Sequence, residues 1–134
     1  MYALLHHTAD VRLRVRAETV EGLFRDAMLG LYAVMRGEAD AHSSPVTRTI
    51  AVDESADTTA LLVDFLNEVL HRAQVARELF ADVTFSRFDE DSLTAELTGI
   101  APASFEEDVK AVTYHEADVR REGEEWTTML VFDI

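Results

Sequence analysis

Apolar and polar residues alternate along residues 11–17, near the start of the chain. Val11, Leu13 and Val15 fall on one side of this segment, and arginines occupy the positions between them. A repeat of two residues is typical of a β-strand with one buried face. The pattern therefore predicts a strand whose apolar side packs on a core.

Two longer segments, residues 20–35 and 58–76, repeat their apolar positions every three or four residues. This spacing is typical of amphipathic helices, and we expect their phenylalanines and methionines to lie in the core. The residues at the helix ends suit caps and stops: Thr19 and Gly37 for the first helix, Asp57 or Ser55 for the second.

The remaining segments are shorter and predict strands, turns and loops. Asp89-Glu90-Asp91 and Glu122-Gly123-Glu124 suit tight turns between neighbouring strands. Strands joined by short turns are antiparallel, so the chain is predicted to be a single α+β domain, residues 1–134. Its two helices would be layered against mixed, largely antiparallel β-sheets. We expect strands at about 47–52, 82–88, 92–99, 109–115, 117–122 and 126–132. Residues 38–46 are predicted to be an irregular loop, and 102–108 either an irregular loop or a single helical turn.

The 134 residues include 12 basic and 26 acidic side chains, a net charge of −14. Proteins that bind nucleic acid unaided usually present a basic surface, so we expect no independent nucleic-acid binding. The acidity suits docking on a basic partner, or solubility alone.

No apolar run reaches the roughly 18 residues of a membrane span and no secretion signal is evident, so we expect a cytoplasmic protein without membrane contacts. The chain has no cysteine, which excludes thiolate metal ligands.

Two aspartates flank the first and last of these predicted strands. Asp10 precedes the first strand, Asp133 follows the last, and Ile134 adds the main-chain carboxylate. If those strands are neighbours, three carboxylates converge and need a cation or basic side chains to offset their repulsion. Oxygen donors favour a hard cation such as calcium, magnesium or manganese. The alternative, which the residues alone leave open, is that Asp10 caps a turn and the C-terminus frays.

Basic residues near these carboxylates have similar alternatives. His7 could bind the same ion, hydrogen-bond Asp10, or be satisfied by the backbone. Lys110 is the only lysine beside 11 arginines, so it has either a specific role or a solvated position on a strand. The remaining candidates are the row Arg12, Arg14 and Arg16. They could form a basic stripe, but we expect them to pair with acids on neighbouring strands, such as Asp118 and Glu122.

Four segments, in order along the chain, resemble signatures of the archease family. Any one of them alone would be weak, but four ordered matches that span nearly the whole chain are specific. They are His7-Thr8-Ala9-Asp10, Leu61-Leu62-Val63-Asp64-Phe65-Leu66-Asn67-Glu68-Val69-Leu70, Val109-Lys110-Ala111-Val112-Thr113-Tyr114-His115 and Phe132-Asp133-Ile134.

The resemblance implies the archease α+β fold and a divalent metal site formed by Asp10, Asp133 and the carboxylate of Ile134. Calcium is the first choice of cation, with magnesium or manganese as alternatives. His7 and Lys110 would support this site or contact a partner. The resemblance also implies an accessory protein rather than an enzyme. Its partner would be an RtcB-type RNA ligase that acts in tRNA splicing or RNA repair, and it would promote the guanylylation and repeated turnover of that ligase.

Two positions depart from the family pattern. His6 stands where an acidic residue is usual, and Arg12 stands where a small residue, often glycine, is usual. Neither change removes an implied ligand, but both bear on how the site meets a partner. Two other functions remain as alternatives: a metal-dependent hydrolase that uses the same carboxylates, and a chaperone-like binding protein.

Overall fold

The structure is a computed structural model that describes residues 1–6 and 10–134, with backbone alone at positions 5 and 6. The described residues form two helices and eight strands. No helix among them is long and apolar enough to cross a lipid bilayer. The elements are β1 Tyr2–His6, β2 Asp10–Ala17, α1 Val20–Met35, β3 Gly37–Val52, α2 Thr58–Ala76, β4 Leu79–Phe88, β5 Leu93–Phe105, β6 Ala111–Thr113, β7 Arg120–Glu122 and β8 Glu125–Asp133.

The strands form two sheets, and the strand pairs in the described part of the chain are antiparallel. The first sheet has the order β1-β2-β8-β6, with β7 also paired to β8, and the second has the order β3-β5-β4. Each helix contacts both sheets. This α+β architecture of two helices and two sheets confirms the predicted fold class. The single domain over residues 1–134 stays a prediction.

Both helices begin where the sequence predicts. The Thr19 hydroxyl accepts a hydrogen bond from the amide of Gly22, and the Asp57 carboxylate accepts one from the amide of Ala60. The end of α1 differs slightly from the prediction, because Arg36 takes the left-handed conformation that ends the helix. Gly37 is instead the first residue of β3.

The apolar faces of both helices meet in one hydrophobic core, to which both sheets contribute. The alternation along β2 is confirmed, since Val11, Leu13 and Val15 are buried. Phe24 of α1 packs with its ring centroid 5.9 Å from that of Phe65 on α2. The helix methionines Met28 and Met35 are also fully or almost fully buried, as expected.

The prediction of an irregular segment at residues 38–46 is wrong. These residues belong to β3, which pairs along β5 with one irregularity between Ala39 and Ser44. Because β3 is at the edge of its sheet, most of its residues are exposed, and a proline is tolerated at position 45. The same pairing extends β5 to Phe105, into the segment predicted as irregular at 102–108.

Two further differences concern short strands. Strand β1, which was not predicted, pairs with β2 at the edge of the first sheet. The strands expected at 109–115 and 117–122 are each only three residues long, β6 and β7. Both predicted turns are confirmed, and Gly123 has a positive φ of 64° in the second turn.

A buried glutamate joins three elements on the side of the second sheet. Glu78 is only 1% exposed, and its carboxylate lies 2.5 Å from Nε of Arg48 on β3 and 3.5 Å from an amine of Arg72 on α2. Its carbonyl accepts a hydrogen bond of 3.1 Å from the Tyr32 hydroxyl on α1. Burial raises the pKa of the Tyr32 phenol, which keeps this donor protonated.

We expect Glu78→Ala to lower the free energy of unfolding by about 2–4 kcal/mol, because it leaves two guanidinium groups without their buried partner. The matched control is Glu68→Ala, which removes the other carboxylate beside Arg72, a helix-surface pair at 3.6 Å. That change should cost about 0.5 kcal/mol. Denaturant unfolding of both variants measures the difference, and equal losses would contradict this assignment.

Candidate functional site at the paired strand ends

The pairing of β2 with β8 places two carboxylates opposite each other. Asp10 is the first residue of β2, Asp133 is the last residue of β8, and the two are direct partners in the antiparallel register. Opposed residues in such pairs have Cα atoms about 4.5–5.5 Å apart and side chains on the same face. These two strands are therefore neighbours, as the predicted convergence of the carboxylates requires. Ile134 follows Asp133 directly and is 44% exposed.

Strand β6 approaches the same point from the other side of β8. Ala111 is the register partner of Asp133, and the amide of Lys110 donates a 2.8 Å hydrogen bond to the Asp133 carbonyl. Lys110 itself is exposed, and no ion pair of its ammonium occurs among the described residues. The backbone beside Lys110 thus belongs to the site, whereas the role of its side chain stays a prediction. His7 lies outside the described residues.

The Asp10 carboxylate is partly buried and incompletely satisfied. Its Oδ1 atom is shielded from solvent and has no hydrogen-bond partner in the described part of the chain. A buried carboxylate oxygen without a partner is unfavourable, so such atoms usually face a donor or an ion. Oxygen donors at this position fit a hard cation.

The side chains alone do not make a complete metal site. Across residues 1–6 and 10–134, no three histidine, aspartate or glutamate side chains are grouped so that they could hold a metal ion. The predicted donor set has two such side chains, Asp10 and Asp133, and takes its third group from the main-chain carboxylate of Ile134. The residues present are compatible with that set, and ligation itself stays a prediction.

A guanidinium lies on the same sheet face as these carboxylates. Arg12 follows Asp10 by two residues, and its terminal amine is 3.1 Å from the Glu116 carboxylate. Its Nε atom is buried and has no hydrogen-bond partner in the part of the chain that the structure describes. The expected acidic partners of the arginine row were therefore wrong for Arg12. One of them, Glu122, lies near the opposite end of β8, where it pairs with Arg120 at 3.0 Å.

Helix α2 holds the strand that adjoins Asp133. The Asn67 amide both donates to the carbonyl and accepts from the amide of Val112, each at 2.9 Å. Gln74, two turns further along α2, donates to the carbonyl of Val109 at 2.9 Å. Because β6 is at the edge of its sheet, its outer backbone groups have no strand partner. The helix side chains supply the missing hydrogen bonds.

A second contact of α2 fixes the residue that follows β6. Asp64 accepts hydrogen bonds from the Tyr114 hydroxyl and, at 2.7 Å, from the Ser55 hydroxyl. The hydrogen bond to Asp64 raises the pKa of Tyr114, and partial burial raises it further. Tyr114 is 58% exposed, so this contact anchors a side chain at the surface.

Sequence reasoning gave no structural role to Asp64 or Asn67. Both are polar residues within an otherwise apolar run on α2, Leu61-Leu62-Val63-Asp64-Phe65-Leu66-Asn67. A polar residue between buried neighbours is a signal for a specific hydrogen bond, because unsatisfied buried polar groups are costly. The partners, Tyr114 and Val112, become visible only in the fold.

The fold and the site define a class of α+β proteins in which the ends of two paired strands present carboxylates at one surface. An edge strand that is hydrogen-bonded to a helix supports these strand ends. A model of the Archease protein family matches residues 2–134. The chain belongs to this family, which confirms the resemblance.

Relatives named Protein archease extend over nearly the whole chain. The protein from Methanosarcina barkeri is 30% identical, and the match covers 99% of this chain and 95% of that one. The protein from Methanopyrus kandleri is also 30% identical, with 97% and 96% covered.

Two solved structures share the fold. The archease of Thermotoga maritima, described as a possible chaperone, has a TM-score of 0.70 and 20% identity, with 100% of this chain and 98% of that chain covered. Protein 1598 of Methanobacterium thermoautotrophicum has a TM-score of 0.71 and 23% identity, with 99% and 98% covered. These likenesses confirm the archease-like arrangement of helices and sheets.

We expect Asn67→Ala to lower the free energy of unfolding by about 2–3 kcal/mol, because both backbone groups of Val112 lose their partner beside a buried side chain. The Val112 amide should also exchange its hydrogen faster. Gln74→Ala is the control, since it removes one hydrogen bond from an exposed side chain and should cost about 1 kcal/mol. Unchanged hydrogen exchange of the Val112 amide in Asn67→Ala would contradict this role of Asn67.

We expect Asp64→Asn to lower the pKa of Tyr114 towards its ordinary value of 10.0, because the acceptor carboxylate is lost. In the wild type the raised pKa means that the contact stabilises the fold below the ordinary pKa. That contribution is lost as the pH rises through the raised pKa. Absorbance titration of the phenols measures the shift, with Tyr114→Phe identifying the signal of Tyr114. An unchanged Tyr114 titration in Asp64→Asn would refute the assigned cause.

Proposed function

We propose that this chain is the accessory activator of an RtcB-type RNA ligase and acts in the cytoplasm, in tRNA splicing or RNA repair. It would promote guanylylation of the ligase and allow the ligase to turn over repeatedly. The observation that carries the proposal is the direct pairing of Asp10 with Asp133 in a member of the archease family. The resemblance to archeases implies that both residues belong to the functional site.

In this proposal Asp10, Asp133 and the carboxylate of Ile134 together hold one divalent hard cation. Calcium is the preferred ion, and magnesium or manganese are the alternatives. Three observations support this: the register of the two aspartates, the buried Oδ1 atom of Asp10 that has no partner among the described residues, and the absence of cysteine from the sequence. The bound ion would supply positive charge that keeps the three carboxylates ionised side by side.

The protein's own residues would present this site to the ligase. The carboxylates lie at the end of two neighbouring strands, and the rigid core behind them limits their movement. The net charge of −14 favours approach to a basic surface such as the nucleotide-binding region expected of a GTP-dependent ligase. The same charge disfavours direct binding to RNA, so the ligase rather than this chain would hold the substrate.

Lys110 and Tyr114, which flank strand β6, would form a second part of the partner surface. Both residues are exposed, yet the backbone between them is fixed by Asn67 and by the hydrogen bond to Asp133. A side chain on a fixed backbone loses less conformational entropy on binding than one on a mobile loop. Lys110 would offer its ammonium to phosphate or to an acidic group of the partner.

We expect Asp133→Ala, and separately removal of Ile134, to reduce stimulation of ligase guanylylation by about 10- to 100-fold, the range seen when groups around a metal site are lost. The measurement is transfer of labelled GMP from GTP to the ligase. Glu125→Gln, at the opposite end of β8, is the charge-matched control and should retain full stimulation. Unaltered stimulation by both altered proteins would overturn the role of these carboxylates.

Two other measurements separate the alternatives. A metal-dependent hydrolase would turn over a substrate without the ligase, so the isolated chain incubated with manganese would be active. A chaperone-like binding protein would suppress aggregation of many unrelated proteins and would not depend on Asp133.

A further inference from the structure

The strand face that carries the carboxylate site also carries a built-in positive charge, Arg12. Asp10 and Arg12 are two residues apart on β2, so both point away from the core side formed by Val11 and Leu13. Residues at this spacing are separated by about 7 Å along a strand. Arg12 is also opposite Val131, the residue two positions before Asp133 on the same face of β8.

The Arg12 guanidinium is held in place and is only partly paired. Its terminal amine contacts Glu116 at 3.1 Å, and the side chain is 29% exposed. Its buried Nε has no partner among the described residues, and neither has the buried Oδ1 of Asp10. A donor and an acceptor of opposite charge are therefore both unsatisfied on one short stretch of strand. Glu116, two residues after Tyr114, is the ion-pair partner of this guanidinium.

We propose that Arg12 is the resident counter-charge of the Asp10–Asp133 site, and that Glu116 positions it. Without a divalent cation, the guanidinium offsets the repulsion between the carboxylates. With a divalent cation, the guanidinium repels it, so Arg12 lowers the affinity of the site. The inference rests on the proposed metal site and specifies how this chain regulates it.

Arg12 is closer to Asp10 along β2 than Arg14, the next arginine of the row. The Debye length is about 8 Å at physiological ionic strength. Arg12 is within this range of Asp10, whereas Arg14 is four residues away, or about 13 Å. Arg14 has the same charge and lies on the same face of β2. It is therefore a matched control for any effect of net charge alone.

We expect Arg12→Gln to raise the affinity for calcium about tenfold, and Arg14→Gln to change it by about twofold or less. Glu116→Gln should lower the affinity, because it removes an acidic group and releases the guanidinium towards Asp10. In the Arg12→Gln background the same Glu116 change should have a smaller effect, which a double-mutant cycle isolates. Calorimetric titration of the whole chain with calcium chloride measures all five proteins: the wild type, the three single variants and the double variant.

Thermal unfolding in a chelator gives a readout that needs no bound metal. Arg12→Gln should lower the melting temperature more than Arg14→Gln does, and added calcium should restore more stability to Arg12→Gln than to the wild type. Equal calcium affinities for Arg12→Gln and Arg14→Gln would overturn the role of Arg12. If Arg12→Gln and Arg14→Gln bind calcium equally but Asp133→Asn abolishes binding, the metal site stands and only the Arg12 inference falls. If the wild type and Arg12→Gln both fail to bind calcium, the metal site and the inference fall together.

Discussion

The antiparallel pairing of β2 with β8 is the contact on which the site and much of the core depend. It joins a strand near the start of the chain to the strand at its end over eight register pairs, Asp10 to Ala17. One face of this pair buries Val11, Leu13, Leu130 and Phe132 against the helices. The other face carries Asp10 and Asp133. Because side chains alternate along a strand, a shift of one residue would expose the core residues and bury the carboxylates. The energetics of the core therefore fix the geometry of the site.

Helix α2 connects this pairing to the rest of the molecule. Its apolar stripe lies in the core, while Asn67 and Asp64 reach the edge strand β6 and Tyr114. The strand β6 is only three residues long and would gain little stability by itself. Hydrogen bonds from the helix compensate for its length and its edge position. Through the bond from Lys110 to Asp133, this support extends to the carboxylates. Segments that are far apart in the sequence thus form one connected assembly.

The balance of charge at the strand ends links structure to function. Carboxylates brought together by backbone pairing repel one another unless positive charge lies nearby. In the proposed site two sources would supply this charge, a divalent cation and the guanidinium of Arg12, and they would compete for the same region. Arg12 contacts Glu116 at 3.1 Å, and Oδ1 of Asp10 has no hydrogen-bond partner among the described residues. Within an acidic surface, such a site has the properties expected of a part that meets a basic partner.

Local patterns of the sequence determined the helices, their N-caps and the buried face of β2, because these features depend on residues only a few positions apart. They also determined the acidic character and the absence of thiolate ligands. The tertiary structure alone extended the short strand expected at 47–52 into the long edge strand β3, because residues 37–46 carry no apolar alternation. It alone also decided the partner of Arg12 and the partners of Asp64 and Asn67. The tertiary structure likewise decided that Asp10 and Asp133 are neighbours. Contacts between residues more than 40 positions apart are set by how sheets and helices pack, and no local spacing in the chain encodes that packing.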